Sequence, residues 1–301
     1  MQDLGVSEDT IYLGVDGGGT KCRAILTTAD RRVIGTGVAG PANPFLGQAQ
    51  AIDSIRTATD AAISDAGLHR DDLSRVVAGI GLAGLNLPEV HAATADWQHP
   101  FAHMFMTTDL EVGCYGAHDG GDGAIIVVGT GSSGCAIVGG KSLIISAYGF
   151  MFGDICGGAW IGVEAIRAVL LANDGLGEKT SLTEAVDRSI SATGNAIVEK
   201  MANARPSELA RLAGLVFEAA DAGDAVATEI IRRGAKHVDA VAARLWQAKP
   251  PAMSILGGLR ELIVPWLDKE TASKLTPPKY SPEIGAVVYA QHKYRKLLEA
   301  A

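Results

Sequence analysis

The sequence predicts an α/β protein built from two halves with a cleft between them. In the first half, short apolar strands alternate with helical patterns, which is typical of a mixed or parallel sheet covered by helices. A second strand cluster follows the turn-rich break at residues 117–122, AHDGGD. Residues 13–26 and 126–138 both have the pattern strand, Gly/Thr turn, strand, which indicates a duplicated architecture. A length of 301 residues is sufficient for two domains.

Five strands and two helices are predicted in the first half. The helical spacing of apolar residues from Ile52 to Ala66 predicts one amphipathic helix, which ends at Gly67. A shorter helical stretch lies near residues 88–97. The strands are short β-type runs bounded by glycine or polar turns, at 11–15, 22–28, 31–38, 76–84 and 103–108.

The second half begins with strands and continues as helices. GAIIVVG, GCAIVGG and SLIISAYG form the predicted strand cluster, and from residue 159 onward the patterns are mostly helical. MSILGG at 253–258 is a further predicted strand. Pro282 stands where the first turn of a closing helix tolerates proline.

Charge and cysteine spacing restrict the function classes. The net charge of −8 argues against a nucleic acid or an anionic membrane as the main partner. The opening MQDLGVSEDT has no basic start or apolar stretch, so no signal peptide is predicted. The four cysteines, Cys22, Cys114, Cys135 and Cys156, have no zinc-type or CxxC spacing. Together these observations favour a cytoplasmic protein with reduced thiols.

The turn DGGGTK at residues 16–21 predicts a phosphate-binding loop. Three consecutive glycines let backbone N–H groups surround phosphate oxygens, since no side chain intervenes. Asp16 is placed to orient a hydrated Mg²⁺, and Thr20 and Lys21 are further donors. The order Gly-Thr-Lys followed by a strand is not a Walker A loop. A plain hairpin turn is the alternative.

A second glycine turn, VGTGSSG at 128–134, carries hydroxyl groups suited to a phosphate or a polar substrate. Thr130, Ser132 and Ser133 are the candidate donors, and a self-stabilising Ser/Thr turn is the alternative. The pair Gly257-Gly258 follows a strand and allows close approach of a flat base or a ribose.

Two aspartates are candidates for direct contact with substrate. Asp109 ends a predicted strand, where a carboxylate in an α/β fold faces the ligand crevice and can take a proton from an attacking hydroxyl. A helix N-cap is the alternative for Asp109. Asp154 precedes a glycine pair and a helix, and it is either an N-cap or an acceptor for sugar hydroxyls.

The order of the motifs DGGGT, TTD, GTGSS and GGLR resembles the ATPase superfamily of sugar kinases, actin and Hsp70. The chain is most similar to N-acetylglucosamine and glucosamine kinases of the BadF/BadG/BcrA/BcrD ATPase type, from Tyr12 to about Leu298. The resemblance implies two ribonuclease-H-like domains of the actin/hexokinase type with a central ATP/sugar cleft. The domains would be residues 1–116 and a larger 117–285 with helical insertions, and a closing helix at about 286–301 would pack back on the first.

The resemblance also implies roles for individual residues, with ATP and Mg²⁺ as cofactors. Asp109 would deprotonate the 6-hydroxyl of the sugar, and Asp16 would lie near the metal. The residues expected around the nucleotide are Asp16, Gly17, Gly18, Gly19, Thr20, Lys21, Thr130, Gly131, Asp224, Gly257 and Gly258. Those expected around the amino sugar are Asn43, Asp109, Ser132, Ser133, Tyr148, Gly149 and Asp154.

The implied activity is phosphorylation of the 6-hydroxyl of glucosamine or N-acetylglucosamine in amino-sugar catabolism, by a protein compatible with a homodimer. Ile155 stands where many relatives have Glu, and Tyr148 stands where the aromatic residue is often Trp. Both changes lie beside the sugar and leave the 2-substituent open.

Three other functions are alternatives for the chain. One is an ATPase of the same fold that couples cleft closure to a protein partner, and another is a sugar-binding regulator without catalysis. The third is a dinucleotide enzyme, based on the GxGxxG pattern at 79–84 and a following acid.

Overall fold

The computed structural model describes residues 10–300 and contains two β-sheets with helices around them. The predicted α/β class is confirmed. The chain folds into two compact units. The first unit comprises the residues up to Ile125, Ala136–Ser142 and the residues from Pro277 onward, and the second comprises Ile126–Cys135 and Leu143–Thr276.

The five-stranded sheet of the first unit has β1 at its centre and the order β3-β2-β1-β4-β5. Its strands are β1 (Ile11–Gly17), β2 (Cys22–Thr27), β3 (Val33–Ala39), β4 (Val76–Leu82) and β5 (His103–Thr108). β1 pairs antiparallel with β2 and parallel with β4, and β4 pairs parallel with β5. The carboxyl ends of β1, β4 and β5 therefore share one edge.

Three helices follow strands in the first unit: α1 (Gln48–Asp65), α2 (Pro88–Ala95) and α3 (Asp109–Ala117). A 3-10 turn at Arg70–Arg75, which the helical spacing did not predict, leads into β4. α1 buries Ala51, Ile55 and Ala58 against one face of the sheet, where they join Leu13 and Val15 in the core.

The second sheet has four strands in the order β8-β7-β6-β9. They are β6 (Gly123–Val128), β7 (Ser132–Val138), β8 (Lys141–Ile145) and β9 (Met253–Leu256). β6 and β7 are neighbours joined by the short GTG turn, as the strand–turn–strand pattern predicts.

Most of the second unit is helical. Its two long helices are α4 (Gly158–Asn173) and α9 (Ala225–Trp246), and α9 buries Ile230, Val238 and Leu245 with the predicted spacing. The shorter helices are α5 (Leu182–Ile190), α6 (Asn195–Met201), α7 (Pro206–Leu209), α8 (Ala213–Asp221), α10 (Arg260–Ile263) and α11 (Lys269–Ser273).

The closing helix α12 (Pro282–Glu299) covers the other face of the first sheet. Val287 and Ala290 share a buried cluster with Tyr12, Ile25 and Val77 of the strands. A methyl group on Gly14 would lie 2.8 Å from Cγ2 of Val287, so the helix approaches β1 more closely than an alanine would allow. No helix within residues 10–300 is both long and apolar enough to cross a membrane.

Candidate active site

Two predicted aspartates lie at the same edge of the first sheet. Asp16 is the penultimate residue of β1, and Gly81 of β4 is its parallel partner. Thr107 of β5 is paired in turn with Gly81, and Asp109 follows two residues later. Because neighbouring strands are about 4.8 Å apart, two strand steps separate the backbones at Asp16 and Thr107 by about 10 Å. The carboxylates are close enough for the charge of Asp109 to raise the pKa of Asp16.

Asp16 lies in a concentration of negative charge. Its pKa is raised to about 7, mainly by burial and then by the charges of Asp109 and Glu283, while the charges of Lys21 and Arg23 lower it by less. A divalent cation bound beside Asp16 would offset this excess of negative charge. Within residues 10–300, no group of three or more His, Cys, Asp or Glu side chains is arranged to hold a metal. The site fits Mg²⁺, which keeps several waters and takes one or two carboxylates plus phosphate oxygens.

Asp109 is the first residue of α3 and is not the N-cap, so the N-cap alternative is wrong. Thr108 caps the helix, since its Oγ1 accepts a hydrogen bond of 3.1 Å from the backbone N–H of Glu111. The carboxylate of Glu111 accepts in turn from the hydroxyl groups of Thr107 and Thr108. Asp109 Oδ1 accepts from the N–H of Leu110 at 2.9 Å. The helix start is thereby fixed, and the half-buried Asp109 side chain lies at the sheet edge.

The glycine loop after Asp16 is a tight turn, closed by a hydrogen bond of 2.9 Å from Gly18 N–H to the carbonyl of Lys21. Gly17 is required by packing, because a methyl group there would lie 2.5 Å from Leu82 Cδ2. Gly18 and Gly19 are different: a methyl group would meet no protein atom closer than 3.8 Å at Gly18 and none within 4 Å at Gly19.

Backbone conformation does not explain these two glycines either. Neither Gly18 nor Gly19 has a positive φ. Thr20 and Lys21, which complete the motif, are exposed. Neither packing nor backbone conformation therefore requires glycine at these two positions. Their bare backbone fits a loop that a ligand, such as a phosphate group, contacts directly.

The second predicted loop, Gly129–Gly131, is held by the first turn of α4. The N–H of Gly158 donates to the carbonyl of Gly129 at 2.7 Å, and that of Ala159 donates to the carbonyl of Thr130 at 3.0 Å. The protein itself therefore uses these donors of the helix N-terminus. These two hydrogen bonds fix the orientation of the Gly129–Gly131 loop.

Asp154 packs against this loop within the second unit. Its Cγ lies 2.8 Å from the position of a methyl group on Gly131, and the N–H of Ser132 donates to its carboxylate. Burial raises the pKa of Asp154 to about 6. Its φ of 56° is in the left-handed region. Gly157 is the N-cap of α4, so the N-cap interpretation of Asp154 is wrong.

The Gly257-Gly258 turn also lies beside this loop. Gly257 has a φ of 100°, and a methyl group on it would lie 2.6 Å from the carbonyl carbon of Val128. Gly258 has open space around it, and its nitrogen is 3.9 Å from the position of a methyl group on Gly129. The structure therefore brings together Thr130, Gly131, Ser132, Asp154, Gly257 and Gly258.

Asn43 and Tyr148 belong to different units. In the first unit, Asn43 Oδ1 accepts from the N–H of Phe45 at 3.0 Å and lies against Gly84. In the second unit, Tyr148 is 77% exposed and is followed by Gly149 with a φ of 77°. Ser133 is half-buried on β7. Their predicted contacts with a sugar stay predictions.

Asp224 has a clear structural role. It is the N-cap of α9, and its Oδ1 accepts from the N–H of Ala227 at 2.9 Å. The backbone and hydroxyl of Ser181 and the hydroxyl of Thr180 also donate to its carboxylate. These hydrogen bonds lower the pKa of Asp224 although burial opposes them. Its contact with a nucleotide stays a prediction.

Sequence reasoning missed Glu283. This residue lies in the first turn of α12, its side chain is 6% exposed, and Oε1 accepts from Arg23 Nη1 at 3.2 Å. The two residues are 260 positions apart, so no local pattern connects them. An acid next to the apolar stretch IGAVV is the one signal in the sequence.

The two-sheet α/β fold of the chain is shared with solved sugar kinases. A ROK family glucokinase from Streptomyces griseus, solved with glucose and AMPPNP, superimposes with a TM-score of 0.56 at 19% identity, covering 95% of this chain and 99% of that one. The sequence then identifies the family. The chain belongs to the BadF/BadG/BcrA/BcrD ATPase family, whose sequence profile matches residues 13–290.

Two relatives are similar over nearly the whole chain. A glucosamine kinase from Vibrio cholerae is 32% identical over 279 residues, which are 93% of this chain and 95% of that protein. A solved protein from Chromobacterium violaceum, proposed to be an N-acetylglucosamine kinase, is 28% identical with a TM-score of 0.88, covering 95% of this chain and all of that one.

Proposed function

We propose that the chain is a cytoplasmic, ATP-dependent kinase that phosphorylates the 6-hydroxyl of an amino sugar, glucosamine or N-acetylglucosamine, in amino-sugar catabolism. The observation that carries the proposal is the 32% identity to a glucosamine kinase over 93% of the chain. The open glycine loop beside Asp16 and the carboxylate of Asp109 at the same sheet edge supply the chemistry that phosphoryl transfer needs.

In this proposal, the 6-hydroxyl gives its proton to Asp109 as its oxygen forms a bond to the γ-phosphorus. The bond between that phosphorus and the oxygen bridging to the β-phosphate breaks, and ADP leaves. Asp16 would hold Mg²⁺, which would neutralise charge on the phosphates. The bare backbone at Gly18 and Gly19 would contact phosphate oxygens. In the second unit, Thr130 and Gly258 stay candidates for contact with the nucleotide.

The 2-substituent of the sugar is assigned to the surroundings of Asp154. A free amine is an ammonium near neutral pH and calls for a carboxylate, whereas an acetyl group calls for apolar walls and an amide partner. Asp154 is a half-buried carboxylate with no cation hydrogen-bonded to it among residues 10–300, and a glucosamine ammonium would compensate its charge. We therefore expect glucosamine to be the preferred substrate.

The test is a coupled assay of ADP release with Mg-ATP and glucosamine, N-acetylglucosamine, glucose or no sugar. We expect strong stimulation by glucosamine and little by glucose. Asp109→Asn should retain ATP binding and lose transfer by about 10²–10⁴-fold, the usual contribution of a general base. Near-normal turnover in that variant would remove Asp109 from the mechanism.

The controls separate this proposal from the alternatives. Glu89→Gln changes an exposed acid on α2 of the same unit and should leave transfer unchanged. ADP release that ignores every sugar would favour an ATPase coupled to a protein partner. Sugar binding without ADP release would favour a regulator.

A further inference from the structure

Arg23 and Asp16 occupy positions from which an ion pair would be expected. They are directly opposite each other in the antiparallel pair of β2 and β1, so their side chains leave the same face of the sheet. Opposite charges in such positions normally attract. Within residues 10–300, however, no ion pair joins these two residues, and Arg23 Nη1 bonds to Glu283 Oε1 at 3.2 Å instead.

Glu283 reaches this face because α12 lies directly on β1. A methyl group on Gly14 would lie 3.1 Å from the carbonyl carbon of Glu283, and Gly14 is two residues before Asp16 on the same strand face. The helix turn that carries Glu283 is thus placed beside the Asp16–Arg23 pair.

Because Glu283 is buried, the loss of its hydrogen bond to Arg23 would be costly. The Glu283 side chain is 6% exposed, and its Oε2 has no hydrogen-bond partner among the described residues. If Arg23 turned to Asp16, both oxygens of a buried carboxylate would be left unpaired, which is strongly unfavourable. Glu283 therefore outcompetes Asp16 for the guanidinium.

We propose that Glu283 is a positioning residue that holds Arg23 away from Asp16 and so keeps the Asp16 carboxylate available to a divalent cation. The inference rests on the proposed function in taking Asp16 as the cation ligand.

The test measures cation binding directly, by Mn²⁺ electron paramagnetic resonance of the full chain with AMPPNP. Glu283→Met removes the competing acceptor and frees Arg23 to pair with Asp16. We expect Mn²⁺ to bind about tenfold more weakly, because the cation would have to displace a charge-assisted hydrogen bond between Arg23 and Asp16. In the double variant Arg23→Met, Glu283→Met no guanidinium is present, and binding should return to within about threefold of the wild type.

Restoration in the double variant distinguishes positioning from a purely structural role. Replacing both the buried Glu283 and its half-exposed partner Arg23 by apolar side chains leaves no buried charge unpaired. Glu299→Gln, at an exposed position on the last turn of α12, is the control and should bind Mn²⁺ normally. If Glu283→Met fails to fold, Glu283→Gln takes its place, because it keeps the shape of the side chain without the charge. Glu283→Gln should also weaken Mn²⁺ binding, but by less.

Two results would overturn the inference: unchanged Mn²⁺ binding in the folded Glu283 variants, or a double variant as weak as the single one. The proposed function is tested separately by sugar-stimulated ADP release in the wild type. A wild type that binds Mn²⁺-AMPPNP but ignores every sugar would refute the kinase proposal alone.

Discussion

Asp154→Asn is expected to stabilise the protein at neutral pH while weakening sugar binding. Burial raises the pKa of Asp154 to about 6, against an ordinary value of 3.8. Each tenfold change in acid strength is worth about 1.4 kcal/mol, so ionised Asp154 costs the folded state at most about 3 kcal/mol. Solvent at its partly exposed edge reduces this to about 1–2 kcal/mol.

The sign of the pH dependence follows from the raised pKa. Between about pH 4 and pH 6 the folded state binds more protons than the unfolded state, so stability falls as pH rises through this window. The cost is absent below about pH 4 and complete above about pH 6. Asparagine carries no charge, tolerates the φ of 56°, and can still accept from the N–H of Ser132.

The assay is urea unfolding of wild type and Asp154→Asn at pH 5, 6 and 7.5, with the exposed Glu178→Gln as control. The advantage of the asparagine variant should grow across this series while Glu178→Gln shows no such trend. KM for glucosamine should rise in the Asp154→Asn kinase assay. A variant that is less stable at pH 7.5, or a difference that is the same at every pH, would refute the reasoning.

Alanine substitutions at Gly18 and at Gly257 are expected to have opposite effects. Gly18→Ala should leave the melting temperature unchanged and weaken ATP binding in calorimetry, because the protein leaves room for a methyl group at Gly18; a loss of stability instead would mean that packing selects this glycine. Gly257→Ala should cost about 1–2 kcal/mol or more in urea unfolding, since its φ of 100° and the nearby Val128 carbonyl leave no room for a side chain. Asp224→Ala should cost about 1–2 kcal/mol in the same measurement, as expected for loss of a helix cap, and an unchanged midpoint would contradict its capping role. EDTA should abolish ADP release and added Mg²⁺ should restore it, whereas activity in the presence of EDTA would exclude a cation at Asp16.

Local patterns predicted the loops and the placement of the aspartates. A carboxylate at the end of a strand must lie at a sheet edge, and for Asp16 and Asp109 the parallel pairing with β4 makes it the same edge. Three consecutive glycines indicated exposed backbone, and at Gly18 and Gly19 the structure leaves it open.

What sequence could not supply were choices between equally suitable residues and contacts across long separations. Thr108 and Asp109 are both good N-caps, and the length of β5 decides in favour of Thr108. Asp224 anchors Thr180 from 44 residues away. The Arg23–Glu283 pair depends on where α12 docks, which is a property of the whole unit.

The docking of α12 on β1 ties the first strand of the chain to the last helix. During synthesis, β1 to β5 are produced long before α12. Until α12 is made, Tyr12, Ile25 and Val77 have no helix to cover them. The second unit is encoded between these two pieces. A premature stop codon just before Pro282 would therefore damage the protein at its opposite end, exposing an apolar sheet face beside the glycine loop and inviting aggregation during synthesis.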